Sequence, residues 1–456
     1  MKPHRSHRAV SLAAVSALAL LATAATAAGA DPGPPGAAAP APAPEQDWAV
    51  HAQGTVVDQA HLAFTAPYAG ANSLSAKAEG RETLDLTLFA GFKPWRGAEV
   101  WVNPEIDQGF GLSNTLGVAG FPSGEAYKVG KASPYFRLQR AFVRQTIDLG
   151  GAAATLDPDL NQLGATHRDD RIVVTVGKFS VTDVFDSNGY AHDPKHDFLN
   201  WGLIDTGTFD YAADAWGYSE GLALEWYQGP WTLRSAVFAL SDVPNSARLD
   251  TSFGQFQLVD EVERRFTIAG QAGSLKATGF VTRGRMGLYA DALSLAARTG
   301  TVPDVAKVRQ YRGRSGLSVN LQQQITGDLG LFLRGGLAGG AAEPYEFADI
   351  DRTVAGGLSL KGRRWGRAGD TVGLSAELNG ISKPHQAYLA AGGLGILVGD
   401  GRLPRPGAES LLETYYDVAI GRFLHLAADY QLVVNPAYNR DRGPVSIFAG
   451  RLHAQF

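Results

Sequence analysis

The chain has 456 residues, with 41 Lys and Arg against 45 Asp and Glu, and it has no cysteine. The last fact excludes disulfide frameworks, thiolate metal sites and cysteine nucleophiles. Charged residues make up 19% and there are 55 glycines, where soluble domains average about 25% charged and about 7% glycine; this combination argues against an ordinary soluble enzyme and for an exported, turn-rich, all-β chain.

Residues 1–30 carry three basic residues (Lys2, Arg5, Arg8), no acidic ones, and an apolar run from Ala9 to Ala22 that ends in small residues. This is the layout of a secretory signal peptide, with cleavage expected after Ala27 or Ala30. Without its three basic residues the chain keeps 38 against 45 acidic ones, an acidic balance that excludes a nucleic-acid partner. Residues 31–46, DPGPPGAAAPAPAPEQ, are thirteen-sixteenths Pro, Ala and Gly. With nothing to bury, they read as an extended linker. Residues 47–456 show no second break in composition and are expected to form one domain. No further segment has the run of about 18 apolar residues that a transmembrane helix needs.

Within that domain the first informative strand is Glu99–Glu105. Alternation turns Val100 and Val102, with Ala98, to one face, and Glu99, Trp101, Asn103 and Glu105 to the other. Over Phe136–Leu149 the apolar set Ala141, Val143, Ile147 and Leu149 opposes Arg140, Phe142 and Arg144. If the apolar face meets lipid, the opposite register would place two arginines in hydrocarbon, at about 2–4 kcal/mol each near the midplane. That cost selects inward Arg140 and Arg144 and leaves Arg137 and Gln139 needing an interfacial position. A polar block follows Phe179: Asp183, Asp186, Asn188, His192, Asp193, His196 and Asp197. It is expected to be a loop folded on Asx turns, with some side chains reaching the pore. Pro194 disfavours a helix that would pair His192 with His196 on a metal, and no metal or other cofactor is expected.

Gly217-Tyr218-Ser219-Glu220-Gly221 fits the G-x-S-x-G pattern, but that motif needs a helix after it. Here Leu222, Leu224 and Trp226 continue as an alternating strand, so a hydrolase is rejected and Glu225 is expected to face the lumen. Trp226, Tyr227 and Trp231 beside the short Gln228–Pro230 turn are expected in an interfacial aromatic belt. Period two continues through Leu317–Ile325, Leu329–Leu337, Thr371–Asn379 and Leu424–Val434. It ends with Phe448, Gly450, Leu452, Ala454 and Phe456 on one face of a last strand.

Short connections at Gln228–Pro230, Thr326–Asp328 and Arg363–Asp370 contrast with long ones at Gly109–Gly130, Asp186–Trp216 and Pro384–Glu409. Short turns at one end and long loops at the other are the layout of a membrane barrel, and only a closed sheet satisfies every strand in hydrocarbon. The expected fold is therefore all-β: a closed antiparallel transmembrane barrel, of about 16 strands at about 25 residues per strand and connection.

Four segments carry a resemblance: NPEIDQGFG (Asn103–Gly111), VGKFSVTDVFDSNGYAHD (Val176–Asp193), DFLNWGLIDTGTFDYAADAWGYSEG (Asp197–Gly221) and DYQLVVNPAYNRDRGPVSIFAGRLHAQF (Asp429–Phe456). Over the whole mature domain the chain resembles the carbohydrate-selective porins of Gram-negative outer membranes, the OprB type. The resemblance implies a 16-stranded barrel with an eyelet narrowed by inward loops, and passive, sugar-preferring uptake. The partners expected are small carbohydrates, outer-membrane lipid, and the barrel-assembly machinery through the strand ending at Phe456. The expected pathway residues are Glu99, Trp101, Asn103, Glu105, Arg140, Arg144, Asp183, Asp186, Asn188 and Glu225, since sugars call for side-chain donors, acceptors and aromatic faces. A general unselective porin and an outer-membrane barrel enzyme are the competing readings.

Overall fold

The computed structural model describes residues 45–456. The expected signal peptide, and the expected linker except for Glu45 and Gln46, lie outside the described residues. Sixteen antiparallel strands form a closed barrel. In order they are β1 (Trp48–His61), β2 (Glu79–Phe92), β3 (Ala98–Gly109), β4 (Lys131–Leu156), β5 (Ala165–Phe179), β6 (Ser219–Gln228), β7 (Trp231–Ala239) and β8 (Phe256–Ile268). Then follow β9 (Gln271–Met286), β10 (Gln310–Gln324), β11 (Leu329–Ala338), β12 (Arg352–Gly362), β13 (Arg367–Gly380), β14 (Glu409–Ile420), β15 (Leu424–Val434) and β16 (Val445–Gln455). Every strand pairs with its neighbours in sequence, and β1 closes on β16 with Val57 opposite Arg451.

Alternation decides which way each side chain points. Val319, Leu333, Leu337, Leu374 and Leu426 are among the exposed large apolar residues of the outer surface, while Ser318, Asn320, Phe332, Arg334, Glu377 and Asp429 are buried on the inner face. Trp48, Trp95, Trp226, Trp231 and Trp365 are exposed at the end that carries the short turns, as an aromatic girdle requires. Tyr227 does not belong to it. It lies one residue out of phase with Trp226, on the inner face, where its hydroxyl donates to Glu225 (2.7 Å) and its ring takes the Arg171 guanidinium. Ala98, expected on lipid, is buried (1% exposed) where β3 leaves the β2–β3 turn, whose Trp95 carbonyl accepts its N–H.

In β4 the structure departs from strict alternation. Asn103 pairs with Arg140 but Pro104 pairs with Leu138, so Gln139 is an extra residue, a β-bulge. The bulge resets the phase. Phe136 and Leu138 face outward on one side of it and Val143 and Ile147 on the other, while Arg137, Gln139, Arg140, Phe142 and Arg144 all turn inward. The interfacial position expected for Arg137 and Gln139 is thereby corrected: Gln139 is fully buried and its amide donates to Glu105 (2.9 Å).

Candidate functional site

The connection between β5 and β6, residues 180–218, does not stand above the barrel but folds into it. Asx turns shape it locally: the Asn188 side chain accepts from Tyr190 N and Asp193 from Lys195 N, and Asp197 reaches back to accept from His192 N (2.9–3.0 Å). The inner wall then holds it. Glu261 of β8 accepts from Asp186 N (2.8 Å), and Asn320 of β10 bonds both Asp186 and Asn188. Arg334 of β11 donates to the carbonyls of Leu203 and Asp186, Glu413 of β14 accepts from Asn200 N (3.1 Å), and Arg451 of β16 donates to Pro194 and Asp197 carbonyls. A lumen face rich in polar side chains thus supplies partners for loop backbone that would otherwise be buried without them.

On the other side, between this loop and the wall formed by β3 and β4, lies a cavity of about 330 Å³. Glu105, Arg140 and Asp183 line it with Glu125 and Lys195, and the rings of Tyr127, Trp201, Tyr211, Trp216 and Tyr218 surround them. Arg140 grips Asp183 bidentately (2.7 and 2.6 Å), and its guanidinium lies 4.9 Å from the Tyr218 ring. Burial opposes the Asp183 charge, but Arg140 outweighs it and holds the carboxyl below its usual range. Lys195 bridges Asp85 of β2 (2.9 Å) and Glu125 (2.6 Å). Burial, reinforced by Asp85, pushes the Glu125 carboxyl well up against the pull of Lys195. His192, also on the cavity, sits 3.6 Å from Asp205; burial disfavours the charged ring, yet Asp205 raises its pKa above the ordinary histidine value.

The other expected pathway residues lie elsewhere. Asp186 and Asn188 are buried anchors of the loop on β10 (Asp186 fully buried) and do not line the cavity. Trp101 is fully buried, its indole N–H donating to Glu99 (2.7 Å), so it offers no stacking face. Asn103 is equally enclosed. Arg144 lies 3.7 Å from Glu99 and donates to the Asn161 carbonyl (2.8 Å). Glu225 faces the lumen as expected and pairs with Arg234 (3.0 Å). Ser219 opens β6 and donates to the Ala239 carbonyl (2.6 Å), with a strand and no helix behind it. His196 packs edge-on against His453 and not with His192, and no group of three His, Asp or Glu among the described residues is arranged to hold a metal. Glu125, Tyr127 and Lys195 went unnoticed in the sequence because loop residues carry no period. Tyr218 stood inside the G-x-S-x-G string, and Trp216 just before it.

A family model described as carbohydrate-selective porin, OprB family, matches residues 71–456. The chain belongs to that family. It is a passive diffusion channel of the Gram-negative outer membrane, crossing it as a multi-pass barrel, and not an enzyme. Among solved structures, OprB of Pseudomonas putida at high pH superposes with a TM-score of 0.69 at 15% identity, covering 90% of this chain and 94% of that one. The outer membrane channel DcaP of Acinetobacter baumannii gives 0.51 at 10% identity, covering 90% and 97%. At such identities these likenesses speak for the fold of this porin. No curated protein matches the sequence.

Proposed function

We propose that this porin carries small neutral sugars through the cavity between the β3–β4 wall and the 180–218 loop, with Glu105, Arg140, Asp183, Lys195 and Tyr218 as its selecting residues. One observation carries the reading: charged side chains already paired with each other meet aromatic rings around one cavity. A sugar presents hydroxyls that both donate and accept, and ring faces that are weakly apolar. Arg140–Asp183, and Lys195 held between Asp85 and Glu125, supply both kinds of partner while leaving little unpaired charge for an ion, and the rings supply stacking surface. Passage requires that no contact be tight enough to hold the sugar. In the same reading residues 1–30 direct export, residues 31–46 form a spacer, lipid covers the outer face, and the assembly machinery reads the strand ending at Phe456. The chemical identity of the cargo is tested by swelling of proteoliposomes in neutral sugars of graded size beside reversal potentials in salt. Sugar rates well above those of a size-matched general porin support selectivity, and equal rates overturn it. Replacing Phe456 with Ser is expected to lower the amount of heat-modifiable, membrane-inserted protein; wild-type levels would contradict the assembly signal.

A further inference from the structure

One turn-end connection is unlike the others. Six of the seven between-strand turns at that end have two to five residues, while β4 runs to Leu156, β5 starts at Ala165, and eight residues lie between. β4 has 26 residues against 9 in β7. Its pairing with β3 stops at Gln145, and the pairing of β5 with β6 stops at Arg171. The last part of this hairpin therefore pairs only with itself, beyond the rim.

It does not remain outside. Register shifts at Asp148–Gly150 and Gly150–Ala153 break the ladder, and Gly150 and Gly151 take φ of 153° and 83°, values that favour glycine. The hairpin bends there and its tip returns into the lumen. Leu163 is 1% exposed, in one apolar cluster with Ala49, Phe89, Trp101 and Phe142 of the inner wall. Its N–H donates to Glu99 (3.3 Å), and Arg144 donates to the Asn161 carbonyl (2.8 Å). Gly164 exchanges two hydrogen bonds with Gln46 (2.9 and 2.8 Å). Leu160 and Asn161 line the same cavity as Glu105, Arg140 and Lys195, and the Asn161 side-chain oxygen is buried without a hydrogen-bond partner among the described residues.

We propose that the tip of the β4–β5 hairpin, residues 157–164, is the turn-side half of the constriction, and that Asn161 is a specificity-determining residue whose side-chain oxygen accepts hydroxyls of the passing solute. The 180–218 loop narrows the passage from one end and the tip from the other. Glu99 and Arg144 hold the tip in place, which gives these two wall residues a positioning role. The hydroxyl-accepting part rests on the sugar reading above; the narrowing does not.

The chain has no cysteine, so a single Asn161→Cys gives a clean probe in planar bilayers. A charged methanethiosulfonate reagent is expected to label it and to cut single-channel conductance by about half or more, as a group added at a constriction does. The control Ala153→Cys, on the exposed outer part of the hairpin, is expected to react without changing conductance. Failure of Asn161→Cys to react, or reaction without a change in current, overturns the placement. A second variant replacing residues 157–164 with Asn-Gly is expected to raise conductance and admit larger sugars; wild-type conductance from inserted barrels would also overturn it. Asn161→Leu separates the two claims. If conductance holds and sugar swelling rates fall, Asn161 selects as proposed. If sugar rates also hold, the hydroxyl contact is wrong, whatever the cysteine result says about the narrowing.

Discussion

From β8 round to β16 the lumen wall is covered by the backbone of the 180–218 loop; from β3 to β4 a cavity separates the two, crossed by side-chain ion pairs. The covered side is regular. β10 and β11 alternate strictly over Leu317–Val319 and Leu329–Leu337, the register shift at Lys361–Gly362 lies beside the β12–β13 turn, and the inner polar residues Glu261, Asn320, Arg334 and Glu413 are spent on loop backbone. The open side is irregular. It carries the bulge at Gln139, the long bent hairpin, and three arginines, Arg137, Arg140 and Arg144, facing Asp214, Asp183 and Glu99. Inward polar residues of the same types thus meet the loop in two ways: on one side they bind its backbone, on the other Arg137 and Arg140 pair with its carboxylates, and Arg140 also lines the cavity left between loop and wall.

Substitutions can break this contrast. The largest effect is expected on the covered side. Arg334 is fully enclosed, beside Asp186 (3.8 Å) and against two loop carbonyls. Arg334→Ala leaves the Asp186 carboxylate buried without it, at about 3–5 kcal/mol. The loop should loosen while the barrel persists, read as faster proteolysis within residues 180–218 and noisier, larger channel currents. On the open side Arg140→Ala should cost less stability than Arg334→Ala, measured by urea unfolding, because Arg140 and Asp183 keep part of their side-chain surface exposed to the cavity. Its effect is on permeation: the lumen loses a positive charge and Asp183 is freed, so the reversal potential shifts toward cations. Arg144→Ala should shift it less, since Arg144 is engaged with Glu99 and the hairpin tip away from the aromatic ring set.

How much of this was legible follows from the physics of each part. The wall was, because lipid on one face and polar lumen on the other impose period two on residues such as Leu333 and Arg334. The inward direction of Glu105, Arg140 and Arg144 followed from the same rule. The Gln139 bulge was hidden, since one inserted residue leaves no mark beyond two inward-facing sets out of phase, which read as a need for interfacial arginine. Nor could the sequence divide inward residues between anchoring and lining: Asp186 and Asp183 sit three apart in one polar block, yet one is fixed to β10 and the other meets Arg140. That division depends on where the loop lies, and the loop carries no periodicity to read.

The smallest expected effect sharpens the contrast through pH. His192 has a raised pKa, so its ring stays charged above the ordinary histidine value of about 6.5 and is neutralised as pH climbs further. Its pairing with Asp205 therefore stabilises the loop fully below that ordinary value and is lost as pH rises through the raised one. The cavity loses a positive charge in the same step. Cation preference should increase modestly above pH 6.5, and His192→Gln should flatten the profile.

The account stands on sugar and ions sharing the passage beside Arg140 and Tyr218. The direct measurement is single-channel ion current through the purified protein with glucose added stepwise. Glucose is predicted to lower the current through the wild-type channel in a saturable way, and to do so more weakly after Arg140→Ala or Tyr218→Ala. A current indifferent to glucose, or one that glucose lowers equally in all three proteins, would contradict it.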